Sequence, residues 1–157
     1  MTWIEFGPAG RQYGAPDFRL VSTAGETVSR AQFRQRTHLV LLFLPASWPP
    51  SMGEALQRLA AARDDLAGAS AMAYALSTAA APHLTALPLL VDGDGAVRQE
   101  YAALVPPDQR PASGEPFVVI LDRYGAPAYA RRGLPDAGSI SDEIVTRVWG
   151  LEYECPE

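Results

Sequence analysis

The chain has 157 residues, 48% of them hydrophobic, which suits one domain with a substantial core, a size that buries roughly 70% of the unfolded surface. A formal charge of -5, with 13 cationic residues that are all arginine and dispersed along the chain, argues against a nucleic-acid partner, which needs clustered cations. Lysine and asparagine are absent, which removes Schiff-base chemistry and N-glycosylation, and the single cysteine excludes an intramolecular disulfide.

The first residues, Met1-Thr2-Trp3-Ile4-Glu5-Phe6-Gly7, lack the basic and long apolar regions of a leader. No window is long and apolar enough to span a bilayer. A soluble, cytoplasmic protein without membrane contact is expected. Positions 1–14 read as an N-terminal extension, aromatic but broken by Gly and Pro. Its Trp3, Phe6 and Tyr13 are suited to pack on the domain or on a second subunit, and the sequence does not choose.

Residues 14–20 alternate into a strand, followed by a turn at 24–26 and a short helix over 29–34. His38-Leu39-Val40-Leu41-Leu42-Phe43-Leu44 has no polar interruption after its histidine, which fits a strand covered on both faces, the central parallel strand of an α/β sheet. It runs into the bend Pro45-Ala46-Ser47-Trp48-Pro49-Pro50-Ser51. Ser51 and Glu54 have the spacing of a capping box, which makes Met52 the first helical residue. Ala55, Leu56, Leu59 and Leu66 continue one apolar helix face, and Gly68 sits where a C-terminal cap falls.

A strand over 71–76 ends at Ser77-Thr78, an apolar segment covers 87–92, and Asp92-Gly93-Asp94-Gly95 turns into a helix over 96–104. Residues 105–115 form a Pro- and Gly-rich loop. A second apolar run over 115–122 pairs with 126–131 as an antiparallel hairpin. Ile140, Ile144, Val145, Val148 and Leu151 mark a C-terminal helix opened by Ser139 or Ser141, before an acidic tail at 152–157. One domain over 15–151, without internal repeat, results.

A side chain delivered by a loop onto a helix N-terminus meets unpaired N–H groups and the positive end of the helix dipole, and a cysteine there becomes a reactive thiolate. In this chain the residue is Met52, read either as core packing or as a thioether ligand or redox-sensing methionine. Trp48, Pro49 and Pro50 form either an apolar shelf for an extended partner segment or a rigid bend. Cys155 is the lone thiol. Its neighbours Glu152, Glu154 and Glu157 disfavour the thiolate, so it is a weak candidate for a nucleophile or an inter-subunit pair. No metal is expected: His38 lies in a strand and His83 in a linker. The Asp92 turn fails as a calcium loop at Ala96 and Ala103. A Ser47 or Ser51 pairing with His83 carries little weight, and Arg98 stands where a Gly-rich phosphate loop needs its last glycine.

Phe43-Leu44-Pro45-Ala46-Ser47-Trp48-Pro49-Pro50-Ser51-Met52 resembles the active-site loop of thioredoxin-fold redox proteins. Against Ala-Ser-Trp-Cys-Pro-Pro-Cys of thioredoxin-like oxidoreductases, Pro49 and Met52 fall on the cysteines. Against Pro-x-x-x-Thr/Ser-x-x-Cys of peroxiredoxins, Pro45 is kept, Pro49 falls on the hydroxyl and Met52 on the peroxidatic cysteine. Gly14-Ala15-Pro16-Asp17-Phe18-Arg19-Leu20 is similar to the opening phrase of peroxiredoxins, and the stretch from Ser77 to Tyr101 resembles the middle of the bacterioferritin-comigratory type. The resemblance implies a thioredoxin-like α/β fold, a central mixed sheet flanked by helices, with Glu115 and a cis Pro116 facing the loop. Thiol peroxidase chemistry without a cofactor goes with that family, but the nucleophile is missing, and Glu115 stands where an arginine is expected. The implied protein is a non-catalytic binding or regulatory relative, with a peptide partner at the Trp48/Pro116 surface or a homodimer as candidate assemblies. A residual peroxidase or disulfide oxidoreductase using Cys155 is the alternative.

Overall fold

The computed structural model describes residues 2–7, 14–79 and 87–154. Eight strands, β1 (Ile4–Glu5), β2 (Arg19–Ser22), β3 (Thr27–Ser29), β4 (His38–Phe43), β5 (Ala71–Ser77), β6 (Leu89–Val91), β7 (Phe117–Leu121) and β8 (Pro127–Arg132), form one mixed sheet in the order β1-β8-β7-β4-β5-β6-β2-β3. Four helices, α1 (Pro50–Ala61), α2 (Arg63–Gly68), α3 (Ala96–Ala102) and α4 (Ile140–Tyr153), cover its faces. β4 lies in the middle, parallel to β5 and antiparallel to β7, and all six of its residues are buried.

Alternation along β4 divides the core into two layers. Val40 and Leu42 point with Leu44 to the face that holds Leu56, Leu59, Ile144 and Val148. Leu39, Leu41 and Phe43 point to the other, against Tyr101 and Phe117. Each fully buried leucine or phenylalanine contributes about 1.5–3 kcal/mol relative to exposure, so this strand anchors the loop that follows it. The hairpin of β7 and β8 forms as its short connection predicts, and the C-terminal helix opens at Ser139.

Several local expectations are corrected. The capping box does not form: α1 begins at Pro50 with Pro49 as its N-cap, no side chain caps it, and Ser51 is exposed. Proline at the first helical position needs no N–H partner and already has helical φ, so Pro50 starts the helix earlier, and Met52 is its third residue. The long helix is broken at Ala62 into α1 and α2. Gly68 is the last residue of α2, while the left-handed conformation falls on Ser70 (φ 57°). Absence of a side chain at Gly68 leaves room for Trp149, whose ring lies 3.4 Å from where a Cβ would be.

Two strands go beyond the sequence reading. β3 returns antiparallel to β2 after the turn at Gly25, and β1 joins the sheet edge through Ile4↔Ala130 and Glu5↔Tyr129. Trp3 and Phe6 pack, partly buried, on the domain. Trp3 Nε1 donates to Glu143 Oε1 at 2.9 Å, and the Arg147 guanidinium lies 4.4 Å from the centre of its ring. Tyr13 lies outside the described residues. α4 runs to Tyr153, so Glu152 belongs to the helix rather than to a tail.

Candidate functional site

The loop after β4 is built by prolines. Leu44 stays on the sheet through its N–H to Leu76 O at 2.9 Å, and Pro45, with no N–H to give, ends the ladder. Ala46 and Ser47 are exposed in a bend, and Trp48 turns back over α1. Its ring fills the space beside Gly53, where a Cβ would stand 3.3 Å away. Pro49 is extended (φ -70°, ψ 160°) and exposed, and its carbonyl accepts the first helical bond from Met52 N at 3.0 Å. The Met52 side chain is half-buried against the core layer of Leu56 and Ile144. Helix-dipole stabilisation of negative charge is available at this end of α1. A thioether has no ionised form to receive it.

Facing the loop from the other side is a pair of arginines. Asp92, 3% exposed, accepts from Val97 N at 3.3 Å and Arg98 N at 3.0 Å, which fixes the first turn of α3. From there the Arg98 guanidinium donates to Leu44 O at 3.3 Å and to Glu115 O, and lies 5.1 Å from the ring centre of Phe117. Phe117 stacks on Phe43 at 4.4 Å, in register on the neighbouring strand. Burial draws the Arg98 pKa below its ordinary value, with Asp92 and Glu115 opposing, and the group stays cationic. The Glu115 carboxylate takes two bonds from Arg132, at 2.8 and 3.1 Å, and these hold it below the usual carboxylate range.

Glu115, which stands where the resemblance implies an arginine, is not a lone charge. Its charge is matched by Arg132, and the Arg98 cation sits at the start of the loop, so the environment is not net acidic. Arg98 was missed because its role depends on where α3 packs, not on any local spacing. Arg132 had a signal in the hairpin register, where it stands opposite Phe117 and thus near Glu115. The Arg98 bridge reaches Glu115 O, the residue before Pro116, but no cis peptide bond occurs among the described residues, so the cis geometry expected at Pro116 is absent.

A model of the AhpC/TSA family matches residues 12–126, most of the chain and all of the site just described except Arg132. The chain belongs to the AhpC/TSA family. Curated proteins give no match. Solved structures share the fold of this AhpC/TSA chain at low identity. Peroxiredoxin Q of Xanthomonas campestris is 18% identical with a TM-score of 0.70, over 95% of this chain and 97% of that one. Peroxidoxin BcpB of Mycobacterium tuberculosis is 16% identical with a TM-score of 0.71, over 88% and 95%. Thioredoxin peroxidase I of Plasmodium yoelii is 16% identical with a TM-score of 0.73, over 92% and 95%.

The remaining candidates of this AhpC/TSA chain lie elsewhere. His38 is at the far end of β4, where its Nε2 meets Glu152 Oε2 at 3.0 Å and Glu152 also takes Arg123. Burial, the largest influence, pushes the His38 pKa below 6.5 against the bond from Glu152. With Glu152 as a carboxylate, His38 Nε2 donates to it, and the buried Nδ1 has no partner among the described residues. The Asp92 turn serves α3 as a cap. Among the described residues no His, Cys, Asp or Glu cluster is arranged to hold a metal, and no helix is long and apolar enough to cross a membrane. His83 and Cys155 lie outside the described residues.

Proposed function

We propose that this AhpC/TSA domain is a non-catalytic binding or regulatory protein. One observation carries the reading: the third residue of α1, where the family resemblance lays the peroxidatic cysteine, is Met52, packed half-buried into the core. Peroxide reduction by a thiol requires a thiolate that attacks oxygen, and a thioether cannot ionise. Arg98 at the loop is consistent with a retained framework around an absent nucleophile. Chain geometry disfavours Cys155 as a substitute within one molecule. Glu152 is held at the start of β4, roughly 20 Å of strand from the loop, and three residues reach at most about 11 Å. Pro49 and Pro50 are exposed, and the Trp48/Pro116 surface is the one this reading offers to a peptide partner, with a homodimer as its second candidate assembly.

The test is reduction of hydrogen peroxide and an alkyl hydroperoxide with a dithiol donor. The expected rate is that of the donor alone. Turnover at the rate of an ordinary peroxiredoxin overturns the proposal, and its loss in Cys155→Ser transfers the activity to that thiol. Mass measurement in solution decides between monomer and dimer.

A further inference from the structure

β5 is paired along Ala71–Leu76 with β4 but with β6 only from Ala75 onward. Its hydrogen bonds show which way its backbone points. Ser70 O and Leu76 O accept from His38 N and Leu44 N on the β4 side, whereas Ala75 N donates to Pro88 O and Ser77 O accepts from Asp92 N on the β6 side. Since direction alternates along a strand, the N–H and C=O groups of Ala71 and Ala73 also point away from β4, where β6 has not begun. Among the described residues nothing bonds to these four groups. Both alanines are nonetheless buried, at 7% and 5% exposure, and backbone groups in such places are normally paired.

This edge, open among the described residues, is the floor of a groove of about 1160 Å³. Leu59 and Leu66, from α1 and α2, line one lip, and Val28 and Phe33 the other. Tyr74 faces the groove, 6% exposed and edge-on to Phe33 at 5.8 Å, with no hydrogen-bond partner for its hydroxyl among the described residues. Arg63 stands on the helical lip without an ion pair among the described residues, and Glu26 on the opposite one.

We infer that this groove takes an extended peptide of about four residues, added as a strand along Ala71–Tyr74, with apolar side chains alternating toward the two lips and an acidic one toward Arg63. An acyl chain or other apolar small molecule fills the volume but leaves the four backbone groups unbonded. A strand still held in a second folded copy does not reach an edge that lies between two lips. The groove is at the end of β5 opposite the loop, so the inference goes beyond the reading of Met52 and stands whatever the peroxide assay returns.

Amide hydrogen exchange on the full chain tests it, with acetyl-Val-Thr-Val-Glu-Val-amide as probe and the same peptide N-methylated at alternate residues as control. In the free protein the amides of Ala71 and Ala73 exchange at least about ten-fold faster than those of Met72 and Tyr74, which face β4. The peptide slows Ala71 and Ala73 by about ten-fold or more, and the N-methylated peptide does not. Ala67→Trp, which fills the groove from the exposed side of α2, removes the effect while the fold is kept. Equal protection of all four amides in the free protein overturns the inference, because the edge is then already paired. Equal effects of the two peptides, or no slowing at millimolar probe, overturn it too.

Discussion

Replacing Arg98 by methionine removes the brace between the end of β4 and the start of β7 while keeping a side chain over Phe117. Two hydrogen bonds from a cation, to Leu44 O and Glu115 O, are lost together with a ring contact at 5.1 Å. Bonds from charged donors contribute about 1.5–3 kcal/mol each and a cation over a ring about 0.5–2. One bond is long at 3.3 Å and the arginine is only half-buried, so a net loss of about 2–4 kcal/mol is expected. In a domain of this size that lowers Tm by roughly 5–15 °C. Urea and thermal unfolding measure it, with Arg98→Lys expected to fall between, since a single ammonium does not span both carbonyls with the planar fork. A change of less than about 0.5 kcal/mol in Arg98→Met would refute the assignment of Arg98 as a structural bridge.

Ser51→Ala is expected to change stability by less than about 0.5 kcal/mol, because Ser51 caps nothing. Asp92→Ala, by contrast, strips two N–H groups of α3 of a buried acceptor and costs about 2–3 kcal/mol; equal effects in urea unfolding would contradict the capping described. The His38 cluster makes the fold acid-sensitive. The folded-state pKa of His38 is depressed by burial, and that of Glu152 is depressed because bonds from Arg123 and His38 outweigh burial. Both groups bind protons more readily when unfolded, so their stabilisation is present above their unfolded values and is lost as pH falls, below 6.5 for His38 and below 4.5 for Glu152. The unfolding free energy from urea titrations should drop between pH 7 and pH 5, by at most about 1.4 kcal/mol per pH unit for one proton, and a flat or rising profile contradicts this. In a Cys155→Ser background, Met52→Cys should give a thiol that titrates below the ordinary value of about 8.5, followed by thiolate absorbance. A value at or above it shows that neither the α1 dipole nor Arg98 acts at this position.

Much of the fold was readable because the apolar runs are long and their boundaries carry glycine or proline. β4, the hairpin of β7 and β8, and α4 all follow from patterns confined to their own residues. The helix start at Pro50 was obscured by a competing signal: Ser51 and Glu54 satisfy a spacing rule, but Pro50 takes the first helical position before that rule applies. β1 has two residues and no pattern, so only its pairing with β8 reveals it. At the site, the lack of a cysteine in the loop was visible directly. Its charge balance was not, since Glu115, Arg98 and Arg132 come from separate segments and meet only when α3 and the hairpin are in place.

The position of β1 bears on how the polypeptide assembles during synthesis. Ile4 precedes the rest of the sheet in the chain but pairs with Ala130, so its docking must wait until nearly the whole domain has emerged. Because that strand is outermost, the centre of the sheet closes without it, and the Trp3 indole settles between Arg147 and Glu143 as a late clasp. Trp3 fluorescence should therefore lag behind collapse of the interior in refolding experiments.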